Sequence, residues 1–162
     1  MTEQLSSLAL QALAIVEESG AIISANHAHP HTIRHKGRID LVTETDIAVE
    51  AFLKERLAAL TPGAGFLAEE SAEDLRLPDT CWIIDPVDGT TNFAHGLPLT
   101  VTSVAYRLNG ETVLGIINAP LLRECYIAEK RERGMRNGER ISVSSVAGPV
   151  EKCPFVADSG FP

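Results

Sequence analysis

Four carboxylates in two short stretches carry the chemistry of this sequence. Glu69 and Glu70 stand in LAEES (67–71), and Asp85 and Asp88 stand in WIIDPVDGTTNFAH (82–95). The apolar run Trp82-Ile83-Ile84 has strand character and delivers Asp85 at its end. Pro86 has no N–H to give a neighbouring strand and is expected to stop the ladder there. Gly89-Thr90-Thr91-Asn92 then reads as the opening of a helix. Hard cations such as Mg²⁺ take oxygen ligands, and the free N–H groups of a helix start bind anions. Carboxylates beside such a turn therefore point to metal-assisted phosphoryl chemistry. Either segment alone reads better as a plain turn or a solvated helix start. Together they do not, provided the strands ending at Glu69 and Asp85 are neighbours. Two unit negative charges about 4 Å apart repel by about 4 kcal/mol at an effective dielectric of 20, so a fold that gathers them calls for cations. With Mg²⁺ bound, such a cluster activates water and clamps phosphate oxygens.

The elements that must position these residues follow from periodicity. Leu5, Leu8, Ala9, Ala12, Ile15, Val16 and Ser19 recur at helical spacing, which predicts an amphipathic helix over about 4–25. The segment 26–40, with Pro30, Gly37 and four of the five histidines, reads as a loop. Thr43 begins a second helix, with Asp46 three residues on as a near capping box, an apolar face of Ile47, Ala51, Leu53, Leu57 and Leu60, and a stop at Pro62-Gly63. Strands are expected at Gly65–Ala68, Cys81–Ile84, Leu99–Leu108, Thr112–Asn118 and Glu124–Glu129. Asn109-Gly110 is a two-residue hairpin signal, and Asn137-Gly138 predicts a second hairpin with Ile141–Val143. Two helices followed by an antiparallel meander describe an α+β fold, a layered antiparallel β-sheet with packed N-terminal helices.

The 162 residues are 44% hydrophobic and 22% charged, an ordinary globular balance for one domain. Lys and Arg number 14 against 22 Asp and Glu, so the net charge is −8. An acidic chain without a basic run is poorly suited to nucleic acid. Cys81, Cys125 and Cys153 are odd in number and widely spaced, which argues against disulfides or zinc and for a reducing cytoplasm. No apolar run is expected to approach the roughly 18 residues of a membrane span. The expectation is a cytoplasmic protein that meets no membrane. His27, His29, His31 and His35 read as a solvated loop, and Arg131, Arg133, Arg136 and Arg140, interleaved with Glu132 and Glu139, as a mixed-charge hairpin face.

WIIDPVDGTTNFAH closely resembles the signature of the inositol monophosphatase family of Mg²⁺-dependent, lithium-sensitive phosphatases. The resemblance extends to KGRIDLVTETDIAVE (36–50), to LAEES and through the meander to about residue 145. It implies that Glu69 binds a first metal and the nucleophilic water, that Asp85 bridges two metals, that Val87 ligates through its carbonyl, and that Asp88 holds the second metal. It implies that Gly89 and Thr90 face the phosphate ester, with Asp88 at the substrate, and that the Thr90 hydroxyl and Asp46 orient the attacking water. Glu70 would support the site from its edge. The implied substrate is a small phosphorylated polyol or sugar, and the implied assembly a homodimer.

Two departures from the family pattern stand out. Ala68 replaces the usual Gly before the Glu pair, and the later Trp-Asp motif, whose Asp completes the second metal site, has no counterpart, Trp82 being the single tryptophan. Residues 1–147 are thus expected to form the metal- and phosphate-binding N-terminal domain, and 148–162 the start of a truncated second one. The alternative expectation is a catalytically incompetent homologue acting as a metal-binding or oligomerising module.

Overall fold

The computed structural model describes residues 5–27, 33–35, 41–71 and 76–143. Helix α1 (Ser7–Asn26) opens on Ser6, whose hydroxyl accepts from the Ala9 N–H at 3.1 Å. That hydroxyl also donates to Glu129 Oε1 at 2.6 Å, which ties the helix start to the sheet. Ala9, Ala12, Val16, Ser19 and Ile23 are buried at the three- and four-residue spacing of one helix face. Gly20 lets the helix approach the sheet closely: a Cβ there would stand 2.6 Å from Asn118 Nδ2 and 2.9 Å from Pro120 Cβ. Asn118 Nδ2 in turn donates to the Val16 carbonyl at 3.1 Å.

By length and mean hydropathy (1.4 over 18 residues) α1 reaches the range of a membrane span, contrary to the expectation that no run comes near it. The small residues Ala, Gly and Ser spread its apolar character thinly, so it does not read as one hydrophobic block. Its buried face packs on α2 and the sheet, as in a core helix.

Strand β1 (Ile33–His35) pairs antiparallel with β2 (Leu41–Thr43), which corrects the reading of 26–40 as loop throughout. Three residues are too few to show an alternation, so only the pairing reveals the strand. His29 and His31 lie outside the described residues, as does the expected domain boundary at 148. Strand β2 runs directly into helix α2 (Glu44–Leu60), which has a complete capping box on Thr43 and Asp46. Its buried stripe is Asp46, Val49, Glu50, Leu53 and Leu57, whereas Ile47 is 47% exposed and Ala51 is exposed as well. The expected apolar face was therefore rotated. Capping turns Asp46 inward, and Ile47, one residue or about 100° further round, must face out. Leu53 and Leu57 anchor the stripe; truncating either to Ala would cost about 2–5 kcal/mol.

The remaining strands are β3 (Gly65–Ala68), β4 (Cys81–Asp88), β5 (Val101–Leu108), β6 (Glu111–Ala119), β7 (Glu124–Glu129), β8 (Met135–Arg136) and β9 (Glu139–Arg140), with the short helix α3 (Thr90–Ala94) after β4. They form one sheet in chain order, antiparallel except that β3 and β4 run parallel. Pro86 does not end β4. The register slips by one residue between Asp85 and Asp88, a bulge that absorbs the missing N–H, and pairing resumes at Asp88 with Val101. Asn109 and Gly110 (φ 51° and 83°) and Asn137 and Gly138 (φ 50° and 79°) make the two tight hairpins. The second closes on Glu139–Arg140, so the strand expected at Ile141–Val143 is displaced toward the turn. Helices α1 and α2 cover one face of the sheet, where Trp82, Ile84, Val104, Leu114, Ile116 and Ile127 are buried.

Candidate functional site

Parallel pairing of β3 with β4 brings the two acidic stretches to one edge of the fold. The Glu69 N–H continues that ladder, donating to the Ile84 carbonyl at 3.1 Å, so Glu69 emerges beside Asp85. Glu69, Asp88 and Asp46 all bear on the Asp85 carboxyl. Burial first, then the Glu69 charge, a hydrogen bond with Glu69, and the charges of Asp88 and Asp46 push its pKa up to about 8. A hydrogen bond between two carboxyl groups needs a proton on one of them, which this raised affinity supplies. Asp85 Oδ1 is buried and has no hydrogen-bond partner. Among the described residues no group of three or more His, Cys, Asp or Glu side chains is closed into an ion site.

Asp46, though almost wholly buried, is saturated. Its Oδ2 accepts from the Thr43 N–H at 2.9 Å and from the Thr43 hydroxyl, and its Oδ1 accepts from Thr90 Oγ1 at 3.1 Å. The Thr90 hydroxyl also lies 2.9 Å from the Val87 carbonyl, so its single hydrogen has two acceptors. The bulge of β4 is braced from behind by the buried Thr102, whose hydroxyl donates to the Pro86 carbonyl at 2.9 Å. Gly89 turns the chain into α3 at φ 88°, where a Cβ would stand 2.8 Å from the Leu99 carbonyl. Only glycine fits that turn, and no side chain caps the helix start it leads into. A cleft of about 260 Å³ opens beside it, lined by Asp88, Gly89, Asn92, Thr100 and Leu122 among others.

The site residues that the resemblance implies lie at this corner: Asp46 on α2, Glu69 after β3, Asp85, Val87 and Asp88 on β4, Gly89 and Thr90 at the turn into α3. Glu70 is placed through its backbone, its N–H donating to Glu50 Oε2 at 2.8 Å. Two supports were missed. Glu50 is buried and lies one helical turn from Asp46, a spacing that marks it in the sequence. Thr43 holds Asp46 by its hydroxyl as well as its N–H, which only the folded cap reveals.

The donor set suits a hard divalent cation: carboxylate and carbonyl oxygens, one of them buried and unpaired, in a field that a proton now relieves. The chain as a whole is similar to known proteins. The model of the inositol monophosphatase family matches residues 4–160. Inositol monophosphatase of Dictyostelium discoideum is 42% identical over 139 residues, covering 83% of this chain and 51% of its own length. The crystal structure of extragenic suppressor protein suhB from Bartonella henselae superposes with a TM-score of 0.81 at 30% identity, over 87% of this chain and 56% of that one. An IMPase/NADP phosphatase crystallised with Mg²⁺ and phosphate, 25% identical, matches 78% of this chain and 49% of its own with a TM-score of 0.70. The chain spans about half the length of the curated relatives it matches. On its signature, its fold and these matches, the chain belongs to the inositol monophosphatase family.

Proposed function

We propose that this chain supplies the metal- and phosphate-binding part of a Mg²⁺-dependent phosphomonoesterase acting on a small phosphorylated polyol or sugar. The observation that carries the reading is the buried, unpaired Asp85 Oδ1 among three further carboxylates, next to the Asp46–Thr90 pair. Glu69, Asp85, Asp88 and the Val87 carbonyl would hold the cation. Bound there, Mg²⁺ would supply Lewis-acid stabilisation of phosphoryl oxygens and a more acidic water.

The chain's own groups do the rest. The Thr90 hydroxyl can give its hydrogen to Val87 or to Asp46. When Val87 takes it, Asp46 Oδ1 is free to accept a proton from an attacking water, and the Thr90 oxygen can orient that water by accepting its other hydrogen. The Gly89 backbone, without a Cβ, allows a phosphate to approach the N–H groups at the start of α3. Glu50 and Thr102 hold the two sides of the site in register.

The test is phosphate release from inositol monophosphate by this chain, with Mg²⁺, with and without lithium, alongside calorimetric Mg²⁺ titration. Lithium-sensitive release that disappears in Asp85→Asn is the expected result; release without Mg²⁺, or unaffected by that substitution, would overturn the reading. Mg²⁺ binding without turnover would favour the second reading, a metal-binding or oligomerising module. An apolar sheet face that no described residue covers favours that alternative, since such faces drive association.

A further inference from the structure

Asp85, Val87 and Asp88 lie on β4, whereas Glu69 follows the last residue of β3 and is exposed. The sheet holds it on one side only, through its own N–H, which donates to the Ile84 carbonyl at 3.1 Å. The next N–H, that of Glu70, is held by α2 instead and donates to Glu50 Oε2 at 2.8 Å. One residue further, the Ser71 hydroxyl accepts from Lys54 Nζ at 2.8 Å. Lys54 stands one helical turn beyond Glu50 and approaches its Oε1 to 3.8 Å. The Glu50 side chain is only 6% exposed. A carboxylate buried to that degree is costly unless it is paired and hydrogen-bonded, and here both of its oxygens are engaged.

We propose that Glu50, backed by Lys54, is a positioning residue for the cation: by holding the peptide beyond Glu69 it sets where the Glu69 carboxylate stands. Asp46, Glu50 and Lys54 recur at every fourth residue of α2, so neighbours in this series share one side of the helix. Asp46 takes the Thr90 hydroxyl at 3.1 Å, while Glu50 and Lys54 take the turn at Glu70 and Ser71. Four residues span about 6 Å of helix axis. One rigid stretch of α2 thus fixes the turn that carries Glu69 relative to the turn that carries Thr90. A carboxylate is the strong acceptor for a backbone N–H, which accounts for a buried acid at a position given no ligand role. The inference rests on the reading of Glu69 as a metal ligand.

Calorimetric Mg²⁺ titration of the full chain, paired with amide hydrogen exchange read by NMR, tests it. Glu50→Ala should weaken Mg²⁺ binding about ten- to hundredfold, the range for groups that orient a metal ligand. Glu50→Gln keeps an acceptor oxygen for the Glu70 N–H and should restore most of that loss. Lys54→Met should cost about two- to fivefold, as a partly exposed ion pair does. Leu57→Val loosens the buried far end of the same helix and should lower the melting temperature without changing the Mg²⁺ affinity of the folded protein. In Glu50→Ala the Glu70 amide should exchange about tenfold or more faster, while the Glu69 amide, held by Ile84, keeps its rate. Mg²⁺ affinity in Glu50→Ala equal to the parent's would overturn the proposal. So would a Glu50→Gln chain that binds no better than Glu50→Ala, or a Glu70 amide that exchanges alike in parent and Glu50→Ala. A parent chain that takes up no Mg²⁺ would overturn the metal reading instead, and the exchange result alone would then decide whether Glu50 holds the turn.

Discussion

Asp46 and Asp85 are carboxylates of the same corner, and the fold treats them oppositely. Asp46, at the start of α2, receives hydrogen bonds on both oxygens from Thr43 and Thr90. Asp85, at the end of β4, keeps a buried oxygen with no partner and faces three other carboxylates. A saturated carboxylate contributes to stability; an unsaturated one in a negative field detracts from it until a cation or proton arrives. The comparison separates a residue that builds the site from one that the site is built around.

The largest effect expected from breaking this contrast is at Asp85. Asp85→Asn should abolish Mg²⁺ binding in a calorimetric titration while raising the melting temperature of the metal-free protein near neutral pH, because asparagine sits in that negative field without having to take up a proton on folding. Asp46→Ala should do the reverse to stability. It removes the capping box and leaves the Thr43 N–H and hydroxyl without their acceptor, while Thr90 keeps the Val87 carbonyl, lowering unfolding free energy by about 2 kcal/mol in urea titration. Gly89→Ala places a side chain at positive φ against the Leu99 carbonyl and should cost about 1–3 kcal/mol. Mg²⁺ affinity should fall with it, since the turn carries Asp88.

Asp85 also sharpens the contrast through pH. Its carboxyl holds a proton more tightly in the folded chain (to about pH 8) than in the unfolded one (about 4), so the folded state binds more protons between those values. Thermal stability of the metal-free protein should therefore fall as pH rises from 4 to 8, with no such slope from this group outside that window. Asp85→Asn, or saturating Mg²⁺, should flatten the curve. The smallest effect belongs to His29→Ala, remote in chemistry from both carboxylates: Mg²⁺ titration and melting temperature should match the parent. A loss of metal binding there, with none at Asp85, would sink the assignment of the site.

Much of this was legible in the sequence because it is local. The capping box at Thr43 and Asp46, the Asn-Gly hairpins at 109–110 and 137–138, and the turn at Gly89 each depend on residues a few positions apart. The strand at Ile33–His35 and the outward face of Ile47 were not read, since they depend on strand pairing and on the rotation of a whole helix; Glu50 was marked by its spacing from Asp46, but its bond to the Glu70 N–H was not. Pro86 shows the limit well. Its missing N–H marks an interrupted ladder, but whether the strand ends or bulges is decided by β5, which resumes pairing at Val101.

By itself the sequence determined the chemical types at the site, oxygen donors on strand ends and a glycine turn into a helix, because side-chain chemistry and short-range backbone preference do not wait for the fold. Only the tertiary structure decided that Glu69 meets Asp85, that Asp46 is satisfied while Asp85 is not, and that one face of the sheet is covered while the other stands open. Those depend on the parallel pairing of β3 with β4 and on the docking of α1 and α2, contacts between residues far apart in the chain that no local spacing encodes.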